Sequence, residues 1–439
     1  MIIYYRLSII IYMFAVSKQN TFIRMNLSQS QNKQWNTISK ITFRFVFIYF
    51  ILFIVLLFSS FLLEVPLRWF AQNILNWGAD FEMLSTGSGD RSYDYVRFGL
   101  NVILALLIGT VWAIIHRKKT LSKKLIYWFQ TILRIFLFLA MTLYGLVKIF
   151  KGQFPDPSLE LLIQPVGEMS PMGLAWTFMG HSIAYNIFIG FAEVLGGALL
   201  LYRKTVTLGS MIIIGVMTNV AMMNFTYDIP VKLFSIHLIL MALVLLIADG
   251  RRVMNVFLKN KSTKKEIHYT PSINTTLKKL ISVLKVFVLT LLTVAIIIQC
   301  FVRFKATDQL KSKSELYGIW ESQLFIKNKD TLPPLLTDSY RWRYLIVNYK
   351  KKAAIKKMND SIDRYQFEIN KEQKEVIFKR STDSISHRFS YKLINPEHLQ
   401  LRGVLDKDSL SIEFKRKLET DFRLLKRKFH WVNESIYNY

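Results

Sequence analysis

The sequence predicts an α-helical membrane protein of about seven spans, with a four-helix core, that carries a C-terminal all-β antiparallel domain. Of its 439 residues, 52% are hydrophobic, whereas soluble proteins have roughly 45–50%. The apolar residues are grouped in blocks of about 20 with almost no charge, which is the length that crosses a bilayer. From about residue 305 the apolar runs shorten and alternate with polar residues, as in half-buried strands.

The N-terminal 40 residues are expected to be a cytoplasmic segment. Residues 1–16 are mostly apolar, but Arg6 interrupts them and they are too short for a span. Met25 opens a polar stretch that leads into the first strong apolar block. This pattern suggests that the native protein starts near Met25.

Seven apolar blocks are interpreted as spans. They lie at 45–63, 97–115, 125–150, 173–201, 206–224, 232–248 and 280–302. This divides the chain into two spans at 41–124, a four-helix core at 125–250, a basic cytoplasmic loop at 251–279, the seventh span, and a soluble β-rich domain at 303–439.

The loops between spans alternate in charge. Basic residues such as Lys118, Arg203 and Arg251 follow the second, fourth and sixth spans, whereas Asp156 and Glu160 lie in an intervening loop. Lys and Arg are enriched in cytoplasmic loops. The sequence therefore predicts a plasma or inner membrane protein with a cytoplasmic N-terminus and an extracytoplasmic C-terminal domain.

The net charge of +28 would suit nucleic acid, but the basic runs flank the apolar blocks, where they face anionic lipid. We therefore expect the lipid bilayer as a partner and no nucleic acid. Other membrane or extracytoplasmic proteins are expected to bind, if at all, through the C-terminal domain. The single cysteine, Cys300, excludes an intramolecular disulfide and a cysteine-rich metal site.

The C-terminal domain is expected to be an antiparallel meander, because its strands are closely spaced with no helices between them. The candidate strands are 317–326, 341–349, 364–369, 375–380, 388–393, 399–405 and 409–415. A small closed barrel either holds one small ligand or is filled by its own side chains.

Two opposite charges lie within the predicted spans. Arg134 and Glu193 are each about eight or nine residues from the cytoplasmic end of their spans, hence roughly 12–13 Å deep at 1.5 Å per residue. A charge inside the bilayer needs a partner or water. The sequence therefore predicts an Arg134–Glu193 ion pair, either as a link between helices or with a role in proton or substrate handling.

A second polar group lies near the outer face and is the candidate ligand-binding site, expected to surround an outward-facing polar cavity. Its members are Lys148, His181, Asn219, Asn224, Tyr227, Asp228, Lys232 and His237. Haem or metal ligation by the two histidines is the weaker alternative to hydrogen-bonded packing. Phosphate-binding, dinucleotide, zinc-protease and nucleophile-elbow motifs are absent, so no catalytic residue and no metal site are assigned.

Three segments carry a family resemblance: RIFLFLAMTLYGLVKIFKGQF, GFAEVLGGALLLYRKTVTLGS and MTNVAMMNFTYDIPVKLFSIHL. They resemble the DoxX-like family of four-helix membrane proteins over about 125–250. The matching residues are Arg134, Tyr144, Gly145, Lys148, Gln153, Phe154, Glu193, Gly196 and Gly197. The resemblance implies membrane quinone or sulfur redox chemistry, with which named members are associated. Related proteins that handle disulfides carry paired cysteines, which this chain lacks.

Three functions are compatible with these features, and the sequence leaves open whether the protein is an enzyme. The first is binding of a small hydrophobic or amphipathic ligand in the outward-facing cavity of the core. The second is a quinone-linked redox subunit, in which Lys148 and His237 donate hydrogen bonds to a quinone cofactor. The third is a transporter, which the lack of a visible inverted repeat disfavours.

Overall fold

The structure is a computed structural model that describes residues 35–76, 89–263, 269, 274–313, 315–349, 351–380, 385–427 and 429–437. The expected segment at 1–34, including a start near Met25, lies outside the described residues. The described chain forms two compact units. One runs up to Ile132 and includes Tyr269, and the other runs from Leu133 to Thr263 and from Asn274 onward.

The described residues form twelve α-helices, in addition to short 3-10 turns. These are α1 (Thr37–Phe58), α2 (Ser60–Asn73), α3 (Ser92–Ile115), α4 (Lys123–Ile149), α5 (Leu159–Leu162), α6 (Pro171–His181), α7 (Ile183–Leu199), α8 (Val206–Thr226), α9 (Lys232–Ala248), α10 (Gly250–Phe257), α11 (Thr275–Lys313) and α12 (Arg423–Lys426).

Five helices are long and apolar enough to cross a membrane: α1, α3, α4, α8 with its preceding 3-10 turn, and the apolar part of α11. Two bent pairs raise the count to seven if each pair is one span, since α6 and α7 meet at 98° and α9 and α10 at 78°. The prediction of a multi-pass helical membrane protein is confirmed. The described helices support five to seven spans.

The predicted fourth span, 173–201, is not one continuous helix. It breaks at Ser182, whose backbone is extended and whose side chain caps α7 by accepting a hydrogen bond from the Tyr185 amide at 3.2 Å. A residue of this type is favoured at a helix start because it satisfies an otherwise unpaired amide. The predicted basic loop at 251–279 likewise begins with a helix, α10, rather than with irregular chain.

The first unit contains α1, α2 and α3. Arg44 of α1 is buried and donates a hydrogen bond to the carbonyl of His116 at 2.9 Å. Asn101 of α3 donates to the carbonyl of Tyr49 at 3.3 Å. Each bond satisfies one donor of a polar side chain that would otherwise be costly in an apolar helix pair, while Arg44 Nε and Asn101 Oδ1 have no hydrogen-bond partner among the described residues.

The C-terminal domain is an antiparallel β-barrel, which confirms the predicted all-β meander. Its strands are β1 (Gly318–Lys327), β2 (Asp330–Thr331), β3 (Trp342–Asn348), β4 (Lys352–Lys357), β5 (Ile362–Asn370), β6 (Glu375–Arg380), β7 (Ser386–Asn395), β8 (His398–Leu405) and β9 (Asp408–Lys417). The sheet closes because β1 pairs with β9 as well as with β3. The short β2 extends β1 as a hairpin.

The barrel interior is filled by its own side chains. Trp342 is at the centre, with ring centroids 6.0 Å from Phe378 and Phe389 and 6.4 Å from Phe325 and Phe414. Of the two alternatives for a closed barrel, the packed interior is therefore the one observed. Rings of this size contribute much of a core's stability because each buries a large apolar area.

One outer face of the barrel packs on the loop that joins α4 to α6. Leu159 of α5 contacts a cluster on β1, β3 and β4 that includes Ile319, Tyr344 and Ala354. Glu160 accepts a hydrogen bond from Arg364 at 3.0 Å. Strands β1, β3 and β4 are thus covered on both faces, and the barrel lies at the end of the core that carries this loop.

Candidate functional site

Helices α4 and α7 approach each other very closely where each has a glycine. A Cβ atom built on Gly145 would lie 2.5 Å from the carbonyl oxygen of Gly190, and one built on Gly190 would lie 2.5 Å from that of Gly145. No side chain fits at such a distance. Small residues at helix contacts in membranes allow this backbone approach, and here they bring the flanking side chains of α4 and α7 together.

A buried ion pair lies next to this contact. The Nζ atom of Lys148 on α4 lies 2.8 Å from both carboxylate oxygens of Glu193 on α7. The two residues are only 4% and 1% exposed. The Lys148 ammonium also lies 5.5 Å from the centroid of the Tyr144 ring. Taking two charges out of water is costly, so this pair is the most distinctive chemical feature of the core.

The predicted partner of Glu193 was Arg134, and this prediction is wrong. Arg134 instead donates to the carbonyls of Leu200 at 2.6 Å and Leu201 at 2.9 Å. These carbonyls end α7, where helical carbonyls lack intrahelical partners. A cation near a helix C-terminus is also favoured by the helix dipole.

The direction of helical side chains explains the exchange of partners. Side chains lean toward the N-terminus of their own helix. Arg134 and Lys148 both belong to α4, so both lean toward Lys123. For Arg134 this direction leads away from Glu193, and for Lys148 it leads toward Glu193. Glu193 leans toward Ile183 and so meets Lys148.

Two further buried polar atoms lie on the same helices as the ion pair. The hydroxyl of Thr142 and the side-chain oxygen of Asn186 have no hydrogen-bond partner among the described residues. Asn186 donates through its amide nitrogen to the carbonyl of Met179 at 2.8 Å. Asn186 precedes Glu193 by seven residues, which is close to two helical turns, so both lie on the same face of α7. Thr142 is buried on α4, six residues before Lys148.

Sequence reasoning missed Asn186, although a signal for it was present. Asn186, Gly190, Glu193 and Gly197 are all buried and follow one stripe of α7 at helical spacing. Lys151 was also missed. Its ammonium donates to the carbonyl of Gly180 at 2.8 Å and pairs with Asp156.

The remaining predicted site residues lie in separate places. Asn224 is buried and donates to the Ser235 hydroxyl at 3.2 Å, while Asp228 and Lys232 form an ion pair at 2.8 Å. The Nδ1 atom of buried His237 lies 2.6 Å from the carbonyl oxygen of Leu233. His181, Asn219, Tyr227 and Asp228 are exposed.

The contacts of Asn224 with Ser235 and of Lys232 with Asp228 are local. They join neighbours in the hairpin of α8 and α9, whereas Lys148 binds Glu193 on α7. A single cavity shared by all eight residues stays a prediction. Within the described part of the chain, no group of three or more His, Cys, Asp or Glu side chains is arranged to hold a metal ion.

Comparison with known proteins gives one informative match. A segment of 124 residues is 37% identical to the uncharacterized protein YwoB of Bacillus subtilis strain 168, and it covers 79% of that protein and 28% of this chain. The chain belongs to the YwoB family. No family model matches the sequence, and no solved structure matches it.

Membership of the YwoB family assigns no activity, because the YwoB relative is itself uncharacterized. The match also leaves most of the chain without a counterpart in that relative, since it covers 28% of the residues. The resemblance to DoxX-like proteins stays a prediction beside the YwoB family assignment.

Proposed function

We propose that the core formed by α4 and α6 to α9 binds the polar head of a small amphipathic molecule at Lys148 and Glu193. The observation that carries this proposal is the burial of a complete ion pair between two helices of a membrane bundle. Ionisable residues inside a membrane segment usually mark a binding or transport site.

The alternative is that the pair only links α4 to α7. Buried ion pairs are often no more stabilising than an apolar pair of the same volume. Gly145 and Gly190 already provide a close contact between these helices. In addition, the side-chain oxygen of Asn186, on the same face of α7 as Glu193, is buried without a hydrogen-bond partner among the described residues, and a ligand head that donates a hydrogen bond would satisfy it.

The lipid around the helices that carry the pair supports an amphipathic rather than a fully polar ligand. Phe188 and Phe191 are exposed on the face of α7 opposite to Glu193, as in a helix that borders lipid. A molecule dissolved in the bilayer would approach the bundle from this lipid. Its apolar part would stay in lipid while its head reached the ion pair.

A quinone-linked redox subunit is the alternative that the DoxX-like resemblance favours. It needs Lys148 and His237 as hydrogen-bond donors to quinone oxygens. The Lys148 ammonium is held by both oxygens of Glu193, and Nδ1 of His237 lies 2.6 Å from the carbonyl of Leu233. These contacts support binding without a redox step as the first proposal.

The barrel is proposed to cover one end of the core rather than to hold the ligand, since its interior is packed. Its contact with Leu159 and Glu160 places it on the same side as the loop between α4 and α6. The acidic loop and the basic loops support an extracytoplasmic position for this side in a plasma or inner membrane.

The test is to identify what the protein retains. The full chain is purified in mild detergent, and bound small molecules are detected by native mass spectrometry and by solvent extraction. We expect an amphipathic molecule in the wild type, reduced occupancy in Lys148→Met and Glu193→Gln, and unchanged occupancy in Arg68→Met, which removes an exposed ion pair with Glu64 on α2. Size-exclusion profiles show whether each variant is folded.

Two outcomes contradict the proposal. One is that folded wild-type protein retains no small molecule above the lipid background. The other is that folded Lys148→Met and Glu193→Gln proteins retain it as well as the Arg68→Met control does. Retention of a molecule with the absorbance changes of quinone reduction would instead favour the redox alternative.

A further inference from the structure

The C-terminal segment after the barrel starts at the rim where the last membrane helix enters. Strand β1 begins at Gly318, strand β9 ends at Lys417, and Ile319 pairs with Lys417. Helix α11 ends at Lys313, and the five peptide steps from there to Gly318 span at most about 18 Å when fully extended. Helix α11 and the C-terminal segment therefore leave the barrel at the same rim.

This rim is tethered to the bilayer by α11. The most apolar 18-residue window within Lys279–Leu310 of α11 has a mean hydropathy of 2.7, and only 6% of that window is buried inside the protein. Such a helix is apolar on all sides and exposes its side chains to lipid. Its long apolar run ends at Val302, and α11 continues through Arg303, Lys305 and Asp308 to Lys313, a rise of roughly 16 Å at 1.5 Å per residue. The barrel rim at Gly318 therefore follows a short polar extension of the membrane helix.

The C-terminal segment presents large apolar side chains at this position. Trp431 is 90% exposed, Ile436 is 86% exposed and Phe429 is 76% exposed. The rings of Phe429 and Trp431 contact each other, with centroids 5.0 Å apart. A cluster of exposed apolar side chains marks an interaction surface, and aromatic residues of this kind are enriched at the interface between membrane and water.

The same segment is basic. Residues 423–437 contain four Lys or Arg and one acidic residue, Glu434. Arg423 and Lys426 are exposed, and the Arg427 guanidinium lies 4.2 Å from the centroid of the Tyr437 ring. Each basic residue near an anionic membrane contributes on the order of 1 kcal/mol of attraction. The positive charge and the exposed apolar side chains therefore both favour an anionic membrane surface as the partner of this segment.

We propose that residues 423–437 form an interfacial anchor that lies on the surface of an anionic bilayer. Trp431, Phe429 and Ile436 enter the head-group layer, while the basic side chains bind lipid phosphates. With α11, this anchor would hold the barrel rim against the membrane at two points. A partner protein or a second copy of this chain is the competing occupant of the surface.

The test measures the depth of the segment in the membrane. A Cys300→Ser background of the full chain receives one new cysteine, either Ser435→Cys in the segment or Lys407→Cys as the control. Lys407 lies in the turn before β9, at the opposite end of that strand from Lys417. Each cysteine carries a fluorophore, and the proteins are placed in nanodiscs that hold either one or two copies, with quencher lipids labelled near the head group.

We expect quenching of the label at 435 and none at 407, with weaker quenching in neutral than in anionic discs. Adding Trp431→Ser should abolish most of the quenching at 435. Equal quenching at both positions, or full quenching retained by Trp431→Ser, would overturn the proposal. Protection of the label only in discs that hold two copies would assign the surface to a second copy and would also overturn it.

Discussion

Replacing Lys148 by Met is the sharpest test of the core. The Glu193 carboxylate would remain 1% exposed and would lose the ammonium that lies 2.8 Å from both of its oxygens. Removing one partner of a buried pair costs about 3–5 kcal/mol, because it leaves an uncompensated charge. In a domain of 150–250 residues this corresponds to a fall in Tm of roughly 6–20 °C.

The double variant Lys148→Met, Glu193→Met separates the charge from the packing. It removes both charges and keeps side chains of similar length, so most of the lost stability should return. The coupling between the two sites would then be of the order of several kcal/mol, whereas independent sites show less than about 0.5 kcal/mol.

The assay is heating of the full chain in detergent, followed by size-exclusion chromatography to find the temperature at which half of the monodisperse protein is lost. Arg68→Met is the matched control, because the side chains of Arg68 and its partner Glu64 are 49% and 47% exposed and an exposed pair contributes at most about 1 kcal/mol. The reasoning is refuted if Lys148→Met loses no more than this control. It is also refuted if the double variant loses the sum of the two single variants.

Three further predictions concern packing, capping and pH. Gly145→Ala should destabilise the core by about 1–3 kcal/mol, because its Cβ would lie 2.5 Å from a carbonyl oxygen of α7. Gly215→Ala is the control and should not destabilise it, since the space around Gly215 is open. Thermal melts compare the two variants. Arg134→Met should cost about 1–3 kcal/mol in the same melts, because it leaves carbonyls at the end of α7 without donors. Hydrogen bonding to Lys327 lowers the pKa of the Asp408 carboxyl in the folded protein. The stability that this hydrogen bond contributes is therefore present above the ordinary Asp pKa of about 3.9. It is lost as the pH falls through the lowered pKa. Asp408→Asn should therefore weaken the acid dependence of barrel unfolding, followed by tryptophan fluorescence; an unchanged acid dependence would contradict this.

The barrel shows which strands a sequence pattern reveals. Strands such as β7, in which exposed and buried residues alternate, were predicted because only one face is covered. Strand β4 was missed. Its sequence KAAIKK has four consecutive buried residues, since one face points to the interior and the other meets α5. Alternation disappears when both faces are covered.

In the membrane core, too, the sequence predicted some features and missed others. The apolar blocks identified the spans because hydrophobicity is a property of each segment. The break at Ser182 was missed because 173–180 and 183–201, on either side of the His181-Ser182 pair, are mostly apolar, and the cap geometry marks the start of α7. The sequence identified Arg134 and Glu193 as buried charges that need partners, but it did not identify the residues that they contact.

By itself, the sequence determined that this is a multi-pass membrane protein with a C-terminal antiparallel β domain. Span length, charge between spans and strand alternation are local properties that follow from solvation by lipid or water. Only the tertiary structure decided that the barrel interior is packed and that Glu193 binds Lys148. The pairing depends on the direction of side chains and on the close approach at Gly145 and Gly190. The depth of a residue, counted along its own helix, gives neither the direction of its side chain nor the distance to the neighbouring helix.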